Sequence, residues 1–499
     1  MQIFNNQISN AVYKKALRTQ KKFLHKFGDD RSRQYHLSLA DNEILSSSFD
    51  CKVIKTVPES SINSEFPSKP VIIGNIRMGF GHYRISMAMA SAAKAMGYTP
   101  LWLDLNSFPE TTCSKIISHQ NRLYTMGSRL SQKDPIFNKL VWEPINYEGF
   151  KKLSYNAGDQ ITSQLMTPLF RELPKNMPFI ATHVWPSQAA IHAGMTKVVN
   201  AIPDNWPMAL HLSQGSLHTV QTYNAYWGYR NLTGFDGKKI LNPMSKDDIA
   251  FTGHYIDHEL VSNIEKDCKA RIERAKGAGP IRFLFTIGGA GAQGEFFAQI
   301  INSLLPYVKQ NKACIFINFG DYQNVWTKLK KDVPELVGGS VSIKEHFDNW
   351  PEELDFAKNA AENSEKSADS VCGIHAFYNK DIFAAVYITN LLMRACDILV
   401  TKPSELAFYP VPKLFIKRIG GHEMWGAIHS AELGDGTPEC HTPQQTEALI
   451  KQLIENPELL EMMCNNIIHQ KSIGTYDGAY KVVELATGGN YLWKNQKNC

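Results

Sequence analysis

Short apolar runs alternate with helix-forming segments along most of this chain. The first clear unit begins at Pro70, where VIIGNI has the continuous apolar character of a buried strand. A glycine turn follows, then ISMAMASAAKAMGY, which is rich in strong helix formers, and then TPLWLDL, a second apolar run. A strand, a helix and a second strand in this order predict a βαβ unit with parallel strands.

The same alternation recurs further along the chain. PFIATHVW, SQAAIHAGMTKV and KVVNAIPD continue the first series as strand, helix and strand. A polar helical stretch near residues 255–280 separates this series from a second one. The second series contains the strands PIRFLFTIGGAGAQG, KACIFINFG, DILVTKP and PKLFIKR and the helices EFFAQIINSLLPYV and DIFAAVYITNLLMRAC.

Two series of this kind predict an α/β protein with two doubly wound, Rossmann-like domains that face each other across a cleft. We expect an N-terminal helical extension over residues 1–68, a first domain over 69–260, a second domain over 261–485 and a tail over 486–499. In sheets of this type ligands bind beyond the carboxyl ends of the strands, near helix N-termini.

Composition narrows the class of protein. A chain of 499 residues is too long for a single ordinary hydrophobic core, so we expect more than one domain. The 53 basic and 48 acidic residues give a net charge of only +5, and the sequence lacks the dense basic stripe of a nucleic-acid-binding domain. No apolar run reaches the roughly 20 residues that span a bilayer, and the N-terminus lacks a signal-peptide pattern. Nine scattered cysteines without a CxxC pair indicate reduced thiols, so we expect a cytoplasmic protein.

The N-terminal segment leaves two alternatives open. Its lysines and arginines are interspersed with apolar residues between Ile8 and Phe27, which as a helix would form a basic amphipathic surface. Such a surface would contact anionic lipid headgroups and place the protein peripherally on the inner face of the membrane. The other interpretation is a helix packed on the main body with its lysines in water.

The first glycine-rich turn carries a candidate base. Gly79, Gly81 and His82 stand between the first strand and its helix, where glycines let a ligand approach the backbone. An imidazole at this point would accept a proton from an attacking hydroxyl. The alternative is a tight turn with a capping histidine.

A second glycine-rich loop, residues 288–294, follows the first strand of the second series. It includes Gly289, Ala290 and Gly291, and its glycine content favours a phosphate cradle. The loop lacks the Lys-Ser or Lys-Thr of a Walker A loop and the GxGxxG pattern with its acidic partner, which argues against a P-loop ATPase and an NAD enzyme.

Two later segments place polar side chains after strands. Glu405 follows a Lys-Pro turn and would accept hydrogen bonds from the two hydroxyls of a ribose, or would act only as a helix-terminal acid. His422 and Glu423 follow the next strand and would bind sugar hydroxyls.

Taken in order, these segments resemble the GT-B glycosyltransferases that include monogalactosyldiacylglycerol synthase and the lipid-linked N-acetylglucosaminyltransferase of peptidoglycan synthesis. The resemblance runs from Val71 to Gly436. It rests on NIRMGFGHYRIS, FIATHVWPS, AIPD, FTGHYID, FTIGGAGAQG and, as the most specific stretch, ACDILVTKPSE.

The resemblance implies roles for individual residues. It implies His82 as the catalytic base and Glu405 as the ligand of the ribose. It implies a donor site that also contains Gly289, Ala290, Gly291, Phe377, Lys402, Ser404, His422 and Glu423. In this site the backbone after Phe377 would contact the nucleotide base. It implies an acceptor side formed by Gly79, Gly81, Arg84, His183 and Asp204.

Three positions depart from the family pattern. Pro403, Ser404 and Glu405 are adjacent where the family has a glycine pair and several more residues. The first loop reads GFGH where many members have three glycines or flanking threonines, and an asparagine common after the sugar-binding pair is replaced near Trp425. The identity of the donor sugar therefore does not carry over.

The function implied is transfer of a sugar from a nucleotide-diphosphate donor, with UDP as the expected nucleotide, to an acceptor hydroxyl. We expect inversion and neither a metal nor a cofactor, with the donor and a lipid, glycan or small-molecule acceptor as the partners and no nucleic acid. Two alternatives remain: an epimerase of the same fold, for which Asp204 and Glu423 would be the acid/base carboxylates, and a non-catalytic nucleotide-sugar-binding protein.

Overall fold

The computed structural model describes residues 1–58, 65–287, 293–362 and 371–488. The strands are β1 (Gln2–Ile3), β2 (Asn6–Gln7), β3 (His36–Ala40), β4 (Lys52–Val57), β5 (Pro70–Asn75), β6 (Thr99–Asp104), β7 (Phe179–Ala181), β8 (Val198–Ala201), β9 (Leu217–Val220), β10 (Ile249–Phe251), β11 (Ile281–Thr286), β12 (Ala313–Asn318), β13 (Ile343–Phe347), β14 (Ile374–Tyr378), β15 (Ile398–Thr401) and β16 (Lys413–Phe415).

Helices connect most of these strands. They are α1 (Asn10–Phe27), α2 (Glu43–Phe49), α3 (Gly81–Ala95), α4 (Thr112–Lys133), α5 (Pro135–Phe137), α6 (Leu153–Ser163), α7 (Val184–His192), α8 (Tyr223–Arg230), α9 (His258–Val261), α10 (Ile264–Glu273), α11 (Gly294–Lys309), α12 (Gln323–Asp332), α13 (Trp350–Glu362), α14 (Ile382–Ala395), α15 (Met424–Leu433), α16 (Pro443–Glu455), α17 (Pro457–Ser472) and α18 (Gly478–Thr487). Two π-helical turns, Asn138–Trp142 and Pro144–Gly149, follow α5. Of the helices in the described ranges, none has both the length and the apolar character to cross a bilayer.

The described residues form two compact units. The N-terminal unit contains Met1–Tyr255, the short segment Gly420–His422 and the described residues from Asp477 to Gly488. The C-terminal unit contains Ile256–Ile419 and Glu423–Tyr476.

An eight-stranded sheet forms the centre of the N-terminal unit, in the order β10-β9-β8-β7-β5-β6-β4-β3. Its neighbouring strands are parallel except for the antiparallel pair β3 and β4. β5 and β6 are buried almost throughout, as expected of parallel strands covered on both faces, and their apolar runs in the sequence predicted them.

Part of the segment that the sequence analysis assigned to an extension belongs to this sheet. β3 pairs with β4, and β4 continues the sheet next to β6. The apolar positions of β3 alternate with polar ones, which suits an edge strand with one covered face. Residues 36–57 therefore widen the first sheet rather than precede it.

Helix α1 packs on the body of the N-terminal unit. Phe23, Leu24 and Phe27 pack against a core cluster that includes Leu165 and Leu169, and Gln20 Nε2 donates to the carbonyl of Ile161 at 2.6 Å. The lysines of α1 are exposed. The helix is therefore packed on the main body with its lysines in solvent, and contact of these lysines with anionic lipid stays a prediction.

Helix α18, near the end of the chain, also packs in the N-terminal unit. Val482, Val483 and Ala486 share a core cluster with Ile85 and Met89 of α3. The helix begins at Gly478, where a Cβ atom would lie 2.2 Å from the carbonyl oxygen of Gly253, so only glycine fits this close approach.

The C-terminal unit contains a six-stranded, fully parallel sheet in the order β13-β14-β12-β11-β15-β16. β13 carries charged residues because it is the edge strand. The prediction of an α/β protein with two Rossmann-like domains is confirmed by these two sheets.

The strand orders define one switch point in each sheet. In the first sheet β5 lies between β6 and β7. The chain passes from β5 to β6 on one side and later adds β7 on the other side of β5. In the second sheet β11 lies in the same way between β12 and β15. Ligands of open α/β sheets bind in the crevice at such points, beyond the carboxyl ends of the strands.

Candidate functional site

Three predicted polar residues of the N-terminal unit follow three adjacent strands. His82 follows β5, His183 follows β7 and Asp204 follows β8, in the order in which those strands pair. The carboxyl ends of parallel strands lie at one edge of a sheet, so these side chains gather beside the switch point.

The His82 imidazole is held by the main chain of the adjacent strand. Its Nδ1 lies 2.7 Å from the carbonyl oxygen of Thr182, which can only accept, so Nδ1 carries the proton. The hydroxyls of Ser86 and Thr182 both donate to the His82 carbonyl. This arrangement fixes the ring and makes Nε2 the proton-accepting nitrogen of the neutral imidazole.

His183 lies against His82 but has a different environment. Their rings meet edge to face, with centroids 4.8 Å apart. His183 caps α7, and its Nδ1 accepts the N–H of Trp185 at 3.2 Å. Burial, followed by the charges of His82 and His211, holds the pKa of His183 well below the usual histidine value. His183 is therefore a neutral neighbour of His82 at physiological pH.

Asp204 is hydrogen-bonded to a residue that the sequence did not single out. Its Oδ2 lies 2.9 Å from Nε2 of His211, a nearly buried residue. Burial raises the pKa of Asp204, but the hydrogen bond and charge of His211 and the charge of His82 outweigh it and leave the pKa below the usual range. His211 ends the 3-10 turn Ala209–His211, seven residues after Asp204, and no pattern in the sequence pairs the two.

Asp159 and Trp185 were also missed. Burial raises the pKa of Asp159 to about 7, against a smaller lowering by Trp185. The Trp185 ring lies 5.0 Å from that of His183, so this carboxyl belongs to the surroundings of the histidine pair. Groups of this kind are frequent at functional sites.

The remaining acceptor-side residues lie in the turn and first helix. Gly79 has φ +71°, the left-handed region that favours glycine, and is exposed. Gly81 is the first residue of α3. Arg84 lies one turn into α3 and is only 2% exposed, so its side chain is part of the interior.

A cavity of about 490 Å³ opens beside this turn. Its lining includes Asn106, Asn121, Arg122, Thr125, Met126 and Leu130. Asn121 Nδ2 donates to the Arg77 carbonyl at 2.8 Å and so connects the cavity wall to the glycine-rich turn. The lining combines polar groups with the apolar side chains of Met126 and Leu130.

In the C-terminal unit, Lys402 follows β15 at the switch point. Thr286 at the end of β11 and Thr401 at the end of β15 share a hydrogen bond of 2.9 Å between their hydroxyls. Lys402 Nζ forms an ion pair with Glu423 Oε1, and Glu423 Oε2 accepts the N–H of Ile419 at 2.8 Å. Lysine and glutamate therefore hold each other beside the carboxyl end of β15.

Ser404 and Glu405 lie in the turn after Lys402. Ser404 N–H donates to the Lys402 carbonyl at 2.8 Å, and Glu405 begins a 3-10 turn that ends at Phe408. Glu405 is half-buried. His422 and Glu423 lie in a second 3-10 turn, directly before α15.

Phe377 is a core residue of β14. Its ring is fully buried and stacks on that of His346, with centroids 4.6 Å apart. Its carbonyl accepts the N–H of Phe319 at 3.0 Å. Reading of a nucleotide base by the backbone in this region stays a prediction.

The predicted phosphate-loop residues Gly289, Ala290 and Gly291 lie outside the described residues. The chain resumes with Gln293 at φ +65°, directly before α11 begins. Within the described ranges, no group of three or more His, Cys, Asp and Glu side chains is arranged to hold a metal ion.

The sequence matches two family models. Residues 2–231 match one described as "Domain of unknown function (DUF6937)", and residues 244–487 match one described as "Domain of unknown function (DUF6938)". No curated protein matches the sequence.

Several solved structures are similar to the chain at low identity. UDP-GlcNAc 2-epimerase from Neisseria meningitidis, bound to UDP-GlcNAc, is 14% identical over 83% of this chain and 98% of its own, with a TM-score of 0.43. Trehalose 6-phosphate synthase from Burkholderia multivorans is 10% identical over 85% and 98%, with a TM-score of 0.41. A glycosyltransferase from Rickettsia africae is 11% identical over 85% and 99%, with a TM-score of 0.37.

Proposed function

We propose that the protein is a glycosyltransferase that moves a sugar from a nucleotide-diphosphate donor, with UDP as the first nucleotide to test, to an acceptor hydroxyl. The observation that supports this most directly is the position of the candidate residues. His82 and His183 lie at the switch point of the first sheet, and Lys402 lies at that of the second. These are the positions at which α/β sheets bind ligands.

In the proposed reaction the N-terminal unit supplies the base. The acceptor hydroxyl attacks the anomeric carbon while its proton passes to His82 Nε2, and the bond from that carbon to the diphosphate oxygen breaks. The hydrogen bond from Nδ1 to Thr182 keeps the ring in the tautomer that this step needs. The Asp204 carboxylate, paired with His211, stabilises the positive charge that develops on His82.

The C-terminal unit would hold the donor. Glu405 lies in a half-exposed turn, where a carboxylate can accept hydrogen bonds from two ribose hydroxyls. The Lys402 ammonium would stabilise the departing diphosphate, and Glu423, which orients this lysine, would bind a sugar hydroxyl. Attack from the face opposite the leaving group gives inversion.

The cavity beside the first glycine-rich turn is the proposed entrance for the acceptor. Asn106, Asn121 and Arg122 offer hydrogen-bond donors, whereas Met126 and Leu130 offer an apolar wall. An acceptor with a polar head and an apolar portion fits this lining better than a wholly polar sugar, since an apolar wall gains nothing from a polar ligand.

Two measurements test the proposal on the full chain. A panel of nucleotides and nucleotide sugars is first screened by thermal shift, because a ligand that binds the native state raises the unfolding temperature. The binding donor is then incubated with and without candidate acceptors, and free nucleotide diphosphate is quantified. Release that requires an acceptor supports transfer. Conversion of the donor sugar without an acceptor identifies an epimerase instead, and the absence of any nucleotide-sugar shift contradicts the proposal.

A further inference from the structure

The short segment Gly420–His422 packs in the N-terminal unit. A Cβ atom at Gly421 would lie 2.1 Å from Glu143 Oε1 and 3.2 Å from Cδ2 of Tyr147, so the chain at this position must lack a side chain. The family resemblance implies His422 as part of the donor site, which the C-terminal unit would supply. Its place in the N-terminal unit favours a role on the acceptor side.

Aromatic stacking connects this segment to the chain after β8. The Tyr147 ring, against which Gly421 packs, stacks on the Trp206 ring with centroids 4.9 Å apart and an angle of 13° between the planes. Trp206 follows Asp204 by two residues. Packing within one unit therefore holds His422 in the neighbourhood of Asp204.

The Asp204 carboxylate has three imidazoles around it. Burial raises its pKa, whereas the hydrogen bond and charge of His211 lower it. The charges of His422 and His82 add to this lowering, in that order, and leave the pKa below the usual range. Because the interaction between charges weakens with distance, both of these imidazoles lie close to the same carboxylate.

Two groups of this cluster are suited to a ligand. The Asp204 side chain is 34% exposed, although its Oδ2 is bonded to His211. His422 Nδ1 is buried from solvent, and within the described ranges no hydrogen-bond partner lies beside it. A buried polar atom in this state costs free energy, which a hydroxyl group of a ligand would recover.

We propose that His422 and Asp204 together bind a second hydroxyl of the acceptor, next to the one that gives its proton to His82, so that the acceptor is a polyol or a sugar. A hydroxyl both donates and accepts, so one such group can donate to the carboxylate of Asp204 and accept from His422 Nδ1. The inference rests on the proposed transferase function and adds the chemical class of the acceptor's polar head.

Binding of small polyols to the full chain tests the proposal without turnover. Saturation-transfer NMR titrations compare myo-inositol, glucose and mannitol with cyclohexanol, which has a six-membered ring but a single hydroxyl. We expect at least one polyol to bind more tightly than cyclohexanol. Its affinity should fall on the order of 10-fold in His422→Ala and in Asp204→Asn, the effect of losing one hydrogen bond. Equal responses to the polyols and to cyclohexanol overturn the proposal.

Two further variants separate a binding role from a structural one. His422→Asn carries an amide close to the position of Nδ1 and should keep part of the affinity that His422→Ala loses. His441→Ala is the matched control, because His441 is an exposed histidine of the C-terminal unit, and it should keep all of the affinity. Full affinity in His422→Ala, or an equal loss in His441→Ala, contradicts the assignment.

Steady-state kinetics with a nucleotide sugar distinguishes failure of this inference from failure of the proposed function. A His422→Ala protein that transfers sugar with a raised KM for the donor and an unchanged KM for the acceptor returns His422 to the donor site, and the inference fails while the transferase stands. Polyol binding that depends on His422 in a protein that binds no nucleotide sugar supports the polyol site and contradicts the transferase.

Discussion

The imidazole of His82 stands edge-on to the ring of His183, with centroids 4.8 Å apart and an angle of 82° between the planes. His82 donates from Nδ1 to a carbonyl, whereas His183 accepts an N–H at Nδ1, so the two rings carry their protons on opposite nitrogens. One ring is therefore prepared to accept a proton at Nε2, and the other is a neutral neighbour that does not compete for it.

Replacement of His82 by alanine should abolish most turnover. We expect a loss on the order of 10²-fold or more in kcat, because the attacking hydroxyl would have no positioned base, while nucleotide binding is kept. Initial rates of nucleotide diphosphate release and nucleotide affinity by calorimetry are the measurements. His25→Ala, at an exposed position of α1, is the control. A His82→Ala protein with unchanged kcat would remove His82 from the mechanism.

The buried neutral state of His183 predicts a pH dependence of stability. Its folded pKa is depressed by burial, whereas the unfolded side chain titrates near about 6.5. The stability contribution is complete above about pH 6.5. It is lost as the pH falls toward the folded pKa, because only the unfolded chain takes up the proton. One such proton changes the free energy of unfolding by about 1.4 kcal/mol per pH unit.

His183→Asn isolates this contribution. An asparagine Oδ1 can still accept the N–H at the start of α7, so the cap is kept while the titrating group is removed. Urea unfolding is measured between about pH 5 and about pH 7, the range in which histidines titrate. The free energy of unfolding of the variant should fall less steeply with decreasing pH than that of the parent protein. Other buried histidines such as His218, whose pKa burial lowers to about 4, supply the remaining slope. An unchanged slope would mean that His183 is protonated in the fold.

The sequence predicted most strands that form the centres of the two sheets, because parallel strands covered on both faces must be continuous apolar runs. It did not predict the place of β3, since an edge strand with alternating residues resembles a polar loop. No pattern in the sequence predicted that α18 packs in the first unit. Val482 packs against Ile85 and Met89 of α3, which lie almost 400 positions earlier in the chain, and local patterns of apolar residues do not predict such distant contacts.

Within the candidate site, sequence patterns located residues that follow strands but not their partners. His82 was found from the glycine-rich turn after a strand, whereas His183 and Asp204 came from the family resemblance. His211 and Asp159 were not found, because neither follows a strand: His211 ends a 3-10 turn and Asp159 lies on α6. Their relevance depends on burial and on a neighbour that the fold brings close. On the donor side, positions after strands pointed to Glu405, His422 and Glu423, and the resemblance added Phe377, Lys402 and Ser404.

The position of Glu405 in the turn after β15 predicts that Glu405→Ala weakens nucleotide binding. Loss of the carboxylate should weaken UDP binding on the order of 10-fold, the effect of a charge-assisted hydrogen bond in a partly exposed site. Glu455→Ala, at the exposed end of α16, is the matched control. Calorimetric titration with UDP measures both. Full affinity in Glu405→Ala would favour the alternative in which this acid only terminates a helix.

The buried ion pair of Arg274 and Asp397 predicts that replacement of Asp397 destabilises the fold. Asp397 lies in ACDILVTKPSE, the most specific stretch of the resemblance. Asp397 Oδ1 lies 2.7 Å from an Arg274 guanidinium nitrogen, and its Oδ2 accepts the N–H of Arg282 at 2.8 Å. Both partners of the pair are almost fully buried, at 4% and 0% exposure. The aspartate thus joins the helical segment before β11 to the strand itself, which is a structural role.

Replacing Asp397 with asparagine removes the charge while keeping the shape, and leaves the Arg274 guanidinium buried without its counter-ion. Such a loss costs about 3 kcal/mol or more, so the urea midpoint should fall clearly. Asp355→Asn, where the carboxylate is exposed on α13, should leave it unchanged. At temperatures where Asp397→Asn remains folded, nucleotide affinity should be retained, because the substitution leaves the Lys402 and Glu405 side chains in place. A loss of affinity without a loss of stability would instead place Asp397 in the nucleotide site.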